Sequence, residues 1–221
     1  RSSSISPTQP RLIIDELIPP KRRVSRPSVQ SSLLNQLESI PLILVIGPLG
    51  AGKTVFLATI ASQQEWLFVQ CGERTPREIL VETTNAVRAK LGLDQIAYAQ
   101  IEKASSVLKA SWGALGSVTL VLDDVRTEEV ADAVLTVIQP SGKRRIVFSA
   151  RGSRLFHGIA TFFLPPLEQN EIKDFVAKNR SQAMMPGELE ELTRLSGGNP
   201  LYLRYYTSVD PGKFENTLAG Y

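Results

Sequence analysis

The chain has 221 residues, 43% of them hydrophobic and 21% charged, with a formal net charge of +3. That is enough apolar content for a sizeable core in one large or two small domains, and it excludes intrinsic disorder for the bulk of the chain. A single cysteine, Cys71, and a single histidine, His157, exclude an intrachain disulfide, a multi-cysteine zinc module and a His-rich metal site.

Residues 1–30 are rich in Pro, Ser and Arg and predict an extended arm, with Lys21, Arg22 and Arg23 near its end. Ser31–Glu38 predicts a short amphipathic helix. The run Leu42–Ile46 is apolar throughout and largely β-branched, as in a central parallel strand buried on both faces. A glycine-rich turn leads into a predicted helix over Thr54–Ser62, followed by a strand over Trp66–Gln70. Helices are predicted over Pro76–Leu91 and Ile101–Trp112, a strand over Val118–Leu122 and a helix over Glu128–Ile138. Strands over Arg145–Ser149 and Thr161–Leu164 complete the alternation, which predicts an α/β fold with a parallel sheet of about five strands flanked by helices. From Glu168 onward only helices are predicted: Asn170–Lys178 with Asn170 and Glu171 as its cap, Pro186–Ser196 and Leu201–Ser208. The expected division is an arm and helix over 1–40, a sheet domain over 41–166, a small helical subdomain over 167–210, and a tail or start of a further domain over 211–221.

The chemistry is concentrated in Gly47, Pro48, Leu49, Gly50, Ala51, Gly52, Lys53 and Thr54, a full match to G-x-x-x-x-G-K-[ST] between a buried strand and a helix. Glycines 47, 50 and 52 let the backbone curl so that its N–H groups surround phosphate oxygens, and the helix N-terminus adds a positive dipole. The Lys53 ammonium should reach the β- and γ-phosphates, and the Thr54 hydroxyl should bind Mg²⁺; Val55, next on the helix, belongs to the same nucleotide-binding stretch. The third strand ends in Asp123 and Asp124. Asp123 is the candidate Mg²⁺ ligand and Asp124 the candidate general base for an attacking water. At the end of the fourth strand, Arg151 can face a γ-phosphate. Catalytic work therefore falls to Lys53, Asp124 and Arg151, with ATP or ADP and Mg²⁺ as the expected ligands.

Together these residues resemble the STAND class of P-loop NTPases, relatives of the AAA+ proteins. Gly198, Asn199 and Pro200 resemble the Gly-x-Pro motif of the STAND helical subdomain, whose proline packs on adenine. The arm around Arg26 and Pro27 resembles the segment of MalT-like and NB-ARC-like modules that contacts the base, with Ser25 in place of the usual glycine. Leu164, Pro165, Pro166, Leu167 and Glu171 resemble the junction between sheet and helical subdomain. The resemblance implies an ATP/ADP switch with slow hydrolysis that controls self-association in the ATP state, on behalf of a larger signalling or transcription-regulating protein. Sensor and effector domains, and any link to DNA, would lie outside this chain. The winged-helix domain that follows in the family, with its ADP-contacting histidine, has no counterpart in His157, which lies before the helical subdomain.

An AAA+ ATPase acting on DNA or on a protein machine is the alternative, with Arg204 as its phosphate-contacting arginine. A small-molecule kinase fits less well, because residues 153–166 are short and apolar for a catalytic lid. Elsewhere the expectations are ordinary. Cys71 is a small core residue, His157 a loop or surface residue, Trp66 and Trp112 core side chains, and Arg144 and Arg145 a solvated strand edge. No apolar run approaches the roughly 20 residues of a membrane span, and the N-terminal residues lack a signal core, so a cytoplasmic location is expected. The chain opens on Arg1 rather than Met, as expected of a fragment or a processed form.

Overall fold

The β-branched runs form five strands: β1 (Leu42–Ile46), β2 (Leu67–Gln70), β3 (Val118–Asp123), β4 (Arg144–Ala150) and β5 (Ala160–Phe163). They pair in the order β2-β3-β4-β1-β5, and every pairing is parallel. The structure, a computed structural model, describes residues 22–152, 156, 158–180 and 184–208. The arm before Arg22, His157 and the expected tail over 211–221 lie outside the described residues.

Helices cover both faces of the sheet because successive side chains of each strand point to opposite sides. On one face Ile43, Val45, Val121 and Val147 pack against Leu33 and Leu37 of α1 (Pro27–Ser39) and Phe56, Leu57 and Ile60 of α2 (Lys53–Gln63). On the other, Leu44, Leu120, Leu122, Ile146 and Phe148 pack against α3 (Pro76–Lys90), α4 (Ile101–Ala114) and α5 (Glu128–Val137). Trp112 belongs to this second core, and Trp66 is half-buried under the first. A third cluster, Leu167, Ile172, Val176, Leu192 and Leu203, joins α6 (Gln169–Asn179), α7 (Glu188–Ser196) and α8 (Pro200–Ser208). No helix among the described residues is long and apolar enough to cross a membrane.

Several boundaries differ from the sequence expectation, each for a local reason. Helix α1 begins at Pro27, four residues earlier than Ser31, because proline's fixed φ suits a first helical turn. Helix α7 begins at Glu188 rather than Pro186, since Gly187 sits at φ +80, outside helical geometry. The cap of α6 is Glu168, not Asn170: its N–H donates to the Glu171 carboxylate at 2.9 Å. Arg144 and Arg145 are half-buried, not a solvated edge. Strand β4 starts at Arg144, whose guanidinium donates to the Trp112 carbonyl at 3.5 Å and to Ser141 Oγ at 3.3 Å.

The segment that leads from the sheet into the helical subdomain meets the turn before α8 backbone to backbone. Leu167 N–H donates to the Gly198 carbonyl at 2.8 Å. Gly198 has φ +73, and a Cβ there would fall 2.4 Å from the Leu167 carbonyl oxygen and 2.9 Å from its nitrogen. Neither atom can rotate away, so only glycine fits. Gly198→Ala is expected to lower unfolding stability by about 3 kcal/mol in urea titrations. Gly113→Ala, on an open stretch of α4, should instead gain about 0.5 kcal/mol.

Candidate nucleotide site

Because all strands are parallel, their carboxyl ends share one edge, where open α/β sheets place their ligands. Register aligns the functional segments there. Ile46 lies opposite Ala150, and Gln70 opposite Asp123, so the loops after β1, β3 and β4 emerge side by side.

The loop after β1 folds as two of its glycines predict. Gly50 and Gly52 lie at φ +78 and +85, a left-handed backbone that L side chains rarely adopt. Gly47 does not, and a Cβ there would make only ordinary contact, 3.4 Å from the Ala51 Cβ. Ala51 N–H closes the turn on the Pro48 carbonyl at 3.2 Å. Lys53 curls back over this loop, donating to the carbonyls of Gly47 at 2.7 Å and Pro48 at 3.2 Å. Burial holds its ammonium below the usual lysine pKa, against the opposing pull of Asp123 and Asp124.

The two aspartates after β3 have different surroundings. Asp123 is fully buried; Ser149 Oγ donates to its Oδ1 at 2.6 Å, and its Oδ2 has no hydrogen-bond partner. Burial pushes its carboxyl pKa up, while the hydroxyls of Ser149 and Thr54 counter the shift. An orphaned oxygen on a buried carboxylate that also interacts with the Thr54 hydroxyl fits a shared divalent cation. Asp124 turns outward at φ +54, and its Oδ2 receives both Nε and Nη2 of Arg126, at 3.1 and 3.0 Å. Arg151 Nε stands 3.8 Å from its Oδ1 and is 59% exposed, free to turn toward a ligand. Cys71, next to this turn, is buried, and burial raises its thiol pKa to about 12, consistent with an inert core residue.

The helical subdomain closes the site from above. Asn199 Nδ2 donates to the Leu49 carbonyl at 2.9 Å, and Leu201 N–H donates to the Gly50 carbonyl at 3.3 Å. Asn199 also caps α8, its Oδ1 accepting from Leu201 N–H at 2.9 Å, with Pro200 in the first helical position. Pro200 reaches within 3.6 Å of where a Gly52 Cβ would stand.

Between these parts lies a cavity of about 770 Å³. Of the expected site residues, Leu49, Gly50, Ala51, Gly52, Lys53, Thr54, Val55, Asp124, Arg151, Pro200 and Arg26 line it. Gly47 and Pro48 contribute carbonyls to Lys53, and Asp123 lies beneath the wall. Among the described residues, five cations besides the Glu171-paired Arg26 (Arg22, Arg23, Lys53, Arg151 and Arg204) line the cavity against one carboxylate, Asp124, which favours a polyanionic ligand.

Arg26 lines the cavity, but its guanidinium, expected at the base, is 8% exposed and hydrogen-bonded to protein partners. Nε donates to Glu171 at 3.0 Å, Nη1 to the Pro165 carbonyl at 3.0 Å and Nη2 to the Pro166 carbonyl at 2.9 Å. The arm is further tied to α6 where Lys178 and Asn179 donate to the carbonyls of Arg23 and Arg22. Arg26 thus fastens the arm to the subdomain junction. Sequence reasoning also missed Arg126, Glu73 and the Leu201–Gly50 contact; none carries a motif of its own.

No family model matches the chain, and no curated protein matches it. Solved structures do. A Walker-type ATPase of Pyrococcus abyssi superposes with a TM-score of 0.64 at 15% identity, over 89% of this chain and 72% of that one. A Signal Transduction ATPase with Numerous Domains (STAND) protein with a tetratricopeptide repeat sensor, from Pyrococcus horikoshii, gives a TM-score of 0.60 at 16% identity. That match covers 88% of this chain and 32% of the larger protein. The chain therefore shares the fold of these two ATPases.

Proposed function

We propose that this chain is the nucleotide-binding module of a STAND-type switch, which binds ATP or ADP with Mg²⁺ and hydrolyses ATP slowly. The observation that carries the reading is the convergence on one cationic cavity of the phosphate-binding loop, the Asp123–Asp124 turn and Pro200, with α8 hydrogen-bonded directly to the loop. A ligand that displaces Leu49 or Gly50 acts at once on the helical subdomain, which is the coupling a switch needs.

In this reading the backbone N–H groups of Gly50–Thr54 surround the phosphates, and Lys53 exchanges its two carbonyl partners for phosphate oxygens. Thr54 and Asp123 would hold the cation, which would supply charge neutralisation to the phosphates. Asp124 accepts a proton from the water whose oxygen attacks the γ-phosphorus; the bond to the β–γ bridging oxygen breaks and ADP remains. Arg151 turns from Asp124 toward the γ-phosphate. Control of self-association in the ATP state, and sensor and effector domains beyond this chain, complete the proposal.

One observation favours the AAA+ reading: Arg204, one helical turn after Pro200, also lines the cavity. Calorimetry on Pro200→Ala and Arg204→Ala separates the two. The switch reading expects Pro200→Ala to weaken ADP and ATP alike, by about three- to tenfold for lost apolar contact, with Arg204→Ala near parental. The reverse pattern favours the AAA+ reading, and no binding of either nucleotide by the parent chain rejects both.

A further inference from the structure

Arg126 was not anticipated as part of the site, and neither it nor Glu73 lines the cavity. Yet Arg126 is the best-connected partner of the one carboxylate that does. Asp124's backbone is held from both sides: its N–H donates to Ser149 Oγ at 3.0 Å, and its carbonyl accepts from Gly72 N–H at 3.2 Å. With the backbone held, the side chain retains its χ rotations. Arg126 restricts them by placing two N–H groups on one oxygen, Oδ2, while its Nη1 donates to Glu73 Oε1 at 2.9 Å. The other oxygen, Oδ1, faces Arg151 at 3.8 Å.

The two arginines thus divide the carboxylate. One grips Oδ2 at hydrogen-bond distance from outside the cavity and is itself steadied by Glu73. The other stands beyond hydrogen-bond distance of Oδ1, on the cavity side. We infer that Arg126 is the positioning residue of Asp124, pinning Oδ2 so that Oδ1 is the oxygen presented to the attacking water. The inference rests on the nucleotide-hydrolysing reading above. Stability is a poor alternative account of this pair. Its side chains are 38% and 24% exposed, and ion pairs at such exposure contribute little to folding.

The test is ATP turnover and ADP affinity for Arg126→Ala, Arg126→Lys, Asp124→Asn and the Arg126→Ala/Asp124→Asn double variant. Arg126→Ala should lower kcat about tenfold with KM, ADP Kd and melting temperature near parental, because it misplaces a reacting group without touching the ligand. Arg126→Lys should recover part of the loss, since one ammonium reaches Oδ2 but cannot also hold Glu73. In the Asp124→Asn background the Arg126→Ala change should cost less than about twofold, as expected of residues acting as a unit. Parental kcat in Arg126→Ala, or full additivity in the double variant, overturns the inference while leaving the functional reading intact. A parent chain that binds ADP but never cleaves ATP overturns the hydrolytic reading, and the inference with it.

Discussion

Lys53→Ala is expected to weaken both ADP and ATP by at least about 30-fold, the equivalent of about 2 kcal/mol for a truncated, partly desolvated charge partner. The size follows from the ammonium's present position. It is half-buried, its pKa is held down by desolvation, and it has only two carbonyl oxygens for partners. A phosphate offers it a formal charge instead, so binding exchanges two neutral acceptors for anionic ones. Folding should survive the change. The Pro48 carbonyl keeps its bond from Ala51 N–H, the left-handed turns at Gly50 and Gly52 are intact, and Asn199 still holds the Leu49 carbonyl. Isothermal calorimetry with thermal melts separates the two effects. Undiminished ADP affinity would overturn the assignment of this loop to phosphate, whereas a collapsed melting transition would assign Lys53 a structural role in closing the loop.

The sheet and the phosphate-binding loop were legible in the sequence because their determinants are local. Leu42–Ile46 can only be satisfied by burial on both faces, and Gly50 and Gly52 mark the two places where the backbone turns left-handed. The role of Pro200 was legible only through resemblance. That α8 docks on the loop depends on Asn199 and Leu201 meeting residues about 150 positions earlier, and no periodicity reports such a meeting. The expectation that Arg26 contacts the base comes from the resemblance of the arm alone. The structure gives it three protein acceptors 139 to 145 residues away, which burial at the sheet–helix junction requires of any guanidinium. Arg126 carries no motif: it lies two residues beyond Asp124, and the left-handed backbone of Asp124 brings the carboxylate back onto it.

That left-handed turn also makes Asp124→Asn the sharper of the two substitutions available at the aspartate pair. Asparagine tolerates φ +54 nearly as well as aspartate and keeps the same shape, so the backbone bonds to Ser149 and Gly72 should persist. Its amide oxygen can still accept from Arg126, but no atom of the side chain can take a proton from water. ATP turnover should therefore fall by about 10²- to 10⁴-fold, the usual contribution of a general base. ATP affinity should stay within about threefold, because the ligand-facing donors are untouched. Asp123 does not offer the same test. It is fully buried, one of its oxygens is bonded to Ser149 and the other has no hydrogen-bond partner, and it is the proposed cation ligand, so removing its charge would disturb binding and chemistry together. Single-turnover hydrolysis by Asp124→Asn, with the bound nucleotide identified by chromatography, isolates the proton-transfer step. An unchanged rate would remove the general-base role from Asp124. It would leave the carboxylate as the counter-charge of Arg126 and Arg151, with the water activated by the phosphate oxygens themselves.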